Sequence, residues 1–153
     1  MEIPFLAVPH DTTTVIVDLT TLALAATHLF ADDASVKKYV WFEGKYAAVD
    51  TELQSVKEKL DVYGNTFFDD ICGMTPLQYR DYVQKVYEQK LHAIDADATI
   101  SIATRTLAHS NLSMNYASAL FGFKNNIAMA PMVVGKKGVR RADLSIDTWS
   151  YFK

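Results

Sequence analysis

Between Val36 and Tyr63 the large apolar residues fall at Val36, Tyr39, Phe42, Tyr46, Val49, Leu53, Val56, Leu60 and Tyr63. The gaps alternate between three and four, the pattern of a helix packed lengthwise on other helices, whereas a strand alternates by two. At ~1.5 Å per residue this segment predicts a rod of roughly 40 Å. Its weak point is Gly44, where glycine inside a helix costs about 1 kcal/mol relative to alanine. Val40 and Trp41 lie off the seam and give the first half a second apolar face. In the second half Gln54, Ser55, Lys57, Glu58, Lys59 and Asp61 are off the seam and polar. Gly64-Asn65 follows as a left-handed stop.

The rest of the chain arranges itself around that rod. "MEIPFLAVPHD" carries two prolines and reads as an extended arm, and the β-branched run "TTTVIV" as a short strand. Asp18 or Thr20 can cap a helix to about Phe30, with Leu19, Leu22, Ala26 and Leu29 on one face. "TFFDDIC" suits one helical turn, or a plug with Phe67 and Phe68 turned inward. Thr75-Pro76 is a strong helix start, because threonine caps and proline tolerates the first helical position. The helix it opens should run from Pro76 to about Ile94. Tyr79, Tyr82, Val83, Val86, Tyr87, Leu91 and Ile94 would lie on one face, and Asp81, Gln84, Lys85, Glu88 and His92 on the other.

Residues 98–108 carry both signals. Ile100 and Ile102 alternate as in a strand, while Ile100, Ala103 and Leu107 are spaced as in a helix. The helical flanks favour helix. "SMNYASALFGF" reads as one more short helix. From Asn125 onward Pro131, Gly135 and Gly138 break the pattern, and the expectation is a β hairpin or an extended arm. The predicted fold is therefore mainly α: an antiparallel helical bundle around one long helix (about 34–63) and a second (about 76–94). It is a single domain over 1–153. Residues 1–17 form an arm or short strand, 18–123 the helical core and 124–153 a basic C-terminal arm.

A length of 153 residues with half of them hydrophobic is enough to bury a core without staples. The lone Cys72 excludes an intramolecular disulfide and any cysteine-cluster metal site. The first basic residue is Lys37, so the basic start of a signal peptide is missing, and the run from Leu19 to Phe30 is too short to span a bilayer. A soluble protein is expected, cytoplasmic or, if viral, part of a virion, and without a membrane partner. The net charge of −3 hides a gradient. Residues 1–36 hold five carboxylates (Glu2, Asp11, Asp18, Asp32, Asp33) and no Lys or Arg, which makes −5. Residues 124–153 hold six cations (Lys124, Lys136, Lys137, Arg140, Arg141, Lys153) against Asp143 and Asp147, which makes +4. Ends of opposite sign attract, within a chain or between copies.

Reactive constellations are scarce. Glu88 and His92, one turn apart, can face one metal ion, but they sit beside Lys85 on the polar face; neither a His-Glu-x-x-His nor a Glu-x-x-His pair occurs. Cys72 follows Asp69 and Asp70, whose charge disfavours a thiolate, so it reads as a structural cysteine. His10, His28, His92 and His109 are scattered, and there is no nucleophile elbow, Walker loop or Gly-x-Gly-x-x-Gly. Neither a catalytic residue nor a cofactor or metal is expected. The candidate contacts are Lys136, Lys137, Arg140 and Arg141, for a neighbouring subunit or a polyanion, and Trp149, Tyr151 and Phe152, as anchors of the terminal arm.

Within Phe68–Tyr82, Gly73-Met74-Thr75-Pro76 and Tyr79-Arg80 resemble the last helix-turn-helix segment of AraC-type regulators. The resemblance covers about a tenth of the chain. It implies a DNA-binding regulator, although in that family the segment closes the domain and here 71 residues follow Tyr82. The expectation that best covers the long seam, the charged ends and the missing chemistry is a non-enzymatic structural or assembly protein. It would form a homo-oligomer, with other assembly proteins as further partners, in the style of phage neck, adaptor or coat proteins. The alternatives are the DNA-binding regulator and a small helical enzyme or ligand-binding bundle.

Overall fold

The computed structural model describes residues 6–20, 40–135 and Tyr151. The fold is mainly helical, with a small two-stranded antiparallel sheet. The chain divides into two compact units, residues 1–55 and 56–153, which are described in turn.

In the first unit, β1 (Thr14–Val17) pairs antiparallel with β2 (Val40–Glu43), with Val15 opposite Phe42 and Val17 opposite Val40. The alternation of a half-buried strand decides which side chains turn in. Val40 and Phe42 are buried, while Trp41 and Glu43 face out. Helix α1 (Ala47–Leu60) follows, with Asp50 and Leu53 buried. The Leu6 amide donates to Asp50 Oδ1 at 2.6 Å and ties the segment before β1 to the first turns of α1.

The long helix predicted over about 34–63 does not form. Residues 40–43 are strand, Gly44 to Tyr46 make a turn, and the helix starts at Ala47 and ends at Leu60. The reason lies at Gly44. Its φ is +120°, outside the range of any right-handed helix. A Cβ there would stand 2.6 Å from the Thr12 carbonyl oxygen, so the turn is built around a missing side chain. The bulky run Val40-Trp41-Phe42 then has a β-branched partner in Thr14–Val17 and satisfies its backbone there. At the other end the Asp61 carboxylate accepts the Tyr63 amide at 2.8 Å and turns the chain before Gly64.

Among the described residues the second unit holds the last turn of α1 and the helices α2 (Phe67–Ile71), α3 (Pro76–Asp95), α4 (Ile102–Phe121) and α5 (Phe123–Val133). Helix α3 begins as predicted. Gln78 N donates to Thr75 Oγ1 and the Thr75 amide donates to Gln78 Oε1, a reciprocal cap with Pro76 just inside. Tyr79, Val83 and Ile94 are buried and Asp81, Gln84, Lys85, Glu88 and His92 exposed, so the wheel read from the sequence holds. Residues 98–108 resolve to helix from Ile102, with Ser101 Oγ accepting the Thr104 amide at 3.2 Å as its cap. The predicted short helix around residues 113–123 is the continuation of the same α4.

Helix α5 replaces the hairpin or extended arm expected from Asn125 to Gly135. Phe123, Ile127 and Ala130 recur at gaps of four and three and are buried. That spacing outweighs Pro131, which lies inside the helix two residues before its end and forfeits one backbone bond there. Helix α3 packs on α4, and α5 packs on α2, α3 and α4. The core between them contains Phe67, Ile71, Tyr79, Leu112, Phe123 and Ile127.

Gly44→Ala tests the turn that breaks the seam. A positive φ and the clash with the Thr12 carbonyl predict a loss of about 1–3 kcal/mol, read as a lower urea midpoint. If the variant instead gains stability and helical ellipticity, the turn is not required.

Candidate functional site

Phe67 is the meeting point of the aromatic side chains in the second unit. Its ring meets those of Tyr63 at 4.9 Å, Phe68 at 5.3 Å and Tyr79 at 6.1 Å, each close to edge-on. Edge-to-face contact sets a positive ring edge against a negative face, so these contacts orient the rings as well as bury them. Tyr82, beside them, donates to Asp70 Oδ2 at 2.9 Å, and Thr66 donates to the same oxygen. Burial, helped by that carboxylate, pushes the Tyr82 phenol up to about 12.

Tyr79 is fully buried, with its hydroxyl between two helices. It donates to the Ala119 carbonyl at 2.9 Å and accepts from Asn126 Nδ2 at 2.8 Å. The Ala119 carbonyl belongs to the last turn of α4, where no amide of the same helix remains for it. Burial pushes the Tyr79 phenol up to about 12, so it stays a neutral donor at physiological pH.

Among the predicted arm anchors, Tyr151 lies within the described residues. It is buried and stacks on Phe123, with ring centroids 4.1 Å apart and planes 16° from parallel. Its carbonyl accepts from Arg80 Nη1 at 3.4 Å, and Arg80 also holds Asp81 Oδ1 at 3.0 Å. Burial raises the Tyr151 phenol well above its ordinary value. Trp149 and Phe152 lie outside the described residues, as do Lys136, Lys137, Arg140 and Arg141.

A band of charge joins α1, α3 and α4. Lys59 pairs with Asp97 Oδ2 at 2.5 Å, Arg105 Nη2 donates to the Asp97 carbonyl at 2.9 Å, and His109 Nε2 lies 2.9 Å from Asp95 Oδ1. Lys90 donates to the Glu58 carbonyl at 2.7 Å. The hydrogen bond from Lys59, then those from Thr99, hold the Asp97 carboxyl well below its usual 3.8. The sequence reading left His109 without an acid partner. Its partner lies 14 residues away across a turn, where no local spacing rule applies.

The other chemical candidates stay apart. Glu88 and His92 are exposed, and Glu88 accepts from Gln84 Nε2 at 2.9 Å. Cys72 is half-buried against the core. Among the described residues no three His, Cys, Asp or Glu side chains gather around one point suited to a metal ion. No helix among them is long and apolar enough to cross a membrane. Of the residues that resemble a helix-turn-helix, Tyr79 is in the core and Arg80 holds Tyr151 and Asp81, while Gly73 and Thr75 are exposed; α2, before them, is a helix of five residues. Comparison with protein-family models, curated proteins and solved structures returned no match.

Two substitutions test the buried network and the charge band. Tyr79→Phe keeps the ring and strands the Asn126 amide and the Ala119 carbonyl, for a predicted loss of about 1–3 kcal/mol. Asn126→Ala in that background should add little, since the pair shares one bond; full additivity in a double-mutant cycle would contradict the network. For Asp97 the sign follows from a lowered folded-state pKa. Its carboxylate contributes stability above the unfolded value and loses that contribution as pH falls through and below about 4. Asp97→Asn should therefore be less stable than wild type at pH 7, with the gap shrinking towards pH 3 in urea titrations. A gap that is constant over that range would show that the carboxylate charge is not what Lys59 holds.

Proposed function

We propose that the chain is a non-enzymatic structural or assembly protein that self-associates through its charged terminal segments. The segregation of charge carries this reading: −5 over residues 1–36 and +4 over residues 124–153. A surface of one sign on one copy and of the other sign on the next makes a head-to-tail contact, which closes into a ring or continues as a filament. The second unit suits such a role. Its tyrosines and charged pairs are spent on holding helices together, and we read α3, α4 and α5 as an antiparallel bundle that carries the basic segment 136–141. A virion component of neck, adaptor or coat type is the setting in which this design is most useful.

The test is sedimentation velocity at low and high salt, with a variant in which Lys136, Lys137, Arg140 and Arg141 are all replaced by Glu. Screening shortens from about 10 Å at 0.1 M to about 3 Å at 1 M, so the oligomer should shrink at high salt. The charge-reversed variant should stay small at low salt. A particle of the same monomeric mass at both salts removes the reading. Binding of random duplex DNA by the wild type, in a fluorescence-polarisation titration at low salt, would assign the basic run to a polyanion instead.

A further inference from the structure

Tyr151 sits in a formed seat within the second unit. Its side chain is fully buried and stacks on Phe123, the first residue of α5, which is buried as well. Arg80 on α3 donates to the Tyr151 carbonyl, and Asp81 Oδ1, 3.0 Å from the same guanidinium, orients that donor. The seat therefore takes one aromatic ring and one backbone carbonyl of the terminal segment. Between Gly135 and Tyr151 lie 15 residues, 136–150, with Lys136, Lys137, Arg140 and Arg141 among them. The way back from the end of α5 to its first residue is short. The 11 residues of the helix span about 16 Å at ~1.5 Å per residue. A connection of 15 residues extends to about 50 Å. It is thus about three times as long as its own seat requires, and long enough to carry Tyr151 to the seat of a neighbouring copy.

We infer that the copies exchange these segments on assembly, so that Tyr151 of one copy fills the seat made by Phe123 and Arg80 of the next; this rests on the self-association reading and names its contact. The exchanged contact is the one already made within the chain, residue for residue, so no new surface has to be complementary. A segment that only left its seat would bare the Phe123 ring to water, whereas one replaced by a neighbour's segment leaves the ring covered. Within a chain, a short tether holds Tyr151 at its own seat with an effective concentration on the order of millimolar. A neighbour's segment therefore competes only where two copies are already held together. The opposite charges of the two ends do that, +4 over residues 124–153 against −5 over residues 1–36. Arg141 stands ten positions before Tyr151. A basic run drawn to the acidic segment of a neighbour brings its own Tyr151 along, and the stacked ring then adds a second, linked contact to the charged one.

The decisive experiment reads which chain fills the seat. Lys124 follows Phe123, and Lys153 is two positions past Tyr151. A short amine-reactive cross-linker should therefore join Lys124 to Lys153 when Tyr151 is seated. Wild-type protein labelled with nitrogen-15 is mixed with unlabelled protein at high salt, returned to low salt, cross-linked and digested for mass spectrometry. Lys124–Lys153 pairs of mixed isotope content are expected at low salt, and same-label pairs alone at high salt. Tyr151→Ala, its fold checked by circular dichroism, should lose the mixed pairs and associate roughly 100-fold more weakly in sedimentation velocity, as the loss of a linked contact predicts. Tyr151→Phe keeps the stack and should keep both. Same-label pairs alone at low salt, in a sample that sediments as an oligomer, overturn the exchange and leave the charged-segment reading standing. Mixed pairs that persist undiminished in Tyr151→Ala do the same. If Tyr151→Ala does not fold, the isotope pattern of the wild type decides alone. A wild-type monomer at both salts removes both readings.

Discussion

The second unit depends on a single buried phenol. Tyr79 brings a large ring into the core, where burying such a side chain contributes about 1.5–3 kcal/mol, and its hydroxyl then has to be satisfied without water. The Ala119 carbonyl and the Asn126 amide do this from two different helices. Helices α3, α4 and α5 thus meet at one hydroxyl. Phe67 backs the same ring from α2, and Phe123, one residue past the break at Gly122, carries Tyr151. The aromatic and polar restraints converge where a helix end has carbonyls to spare.

Much of this was legible. The Thr75-Pro76 start and the two faces of α3 followed from a cap residue, a proline and a periodicity that all agree. The seam of α1 was legible from Val49 to Leu60, because Val49, Leu53, Val56 and Leu60 have no β-branched partner run competing for their backbone. It misled upstream. Gaps of three in Val36, Tyr39 and Phe42 extended a helical rhythm over residues whose strand alternation, Val40 and Phe42 in with Trp41 and Glu43 out, needs β1 to become visible. Helix α5 was missed for the reverse reason. Pro131 and the glycines after it were weighed above the gaps of four and three in Phe123, Ile127 and Ala130. The long-range contacts were beyond periodicity altogether. Nothing local marks Asp50 as fully buried beneath the Leu6 amide, or joins His109 to Asp95.

The candidate contacts divide the same way. Tyr151 has a place in the fold, on Phe123 and Arg80, while Lys136, Lys137, Arg140 and Arg141 lie outside the described residues.

Native-state hydrogen exchange followed by NMR tests the role of Tyr79 most directly. If one buried phenol holds three helices, the slowest amides of α3, α4 and α5 around Val83, Leu112 and Ile127 share a single opening free energy. That shared value should fall by the same amount in all three helices when Tyr79 is replaced by Phe. Protection in α5 that is already lower than in α3 and α4, and unchanged by the substitution, would contradict the account.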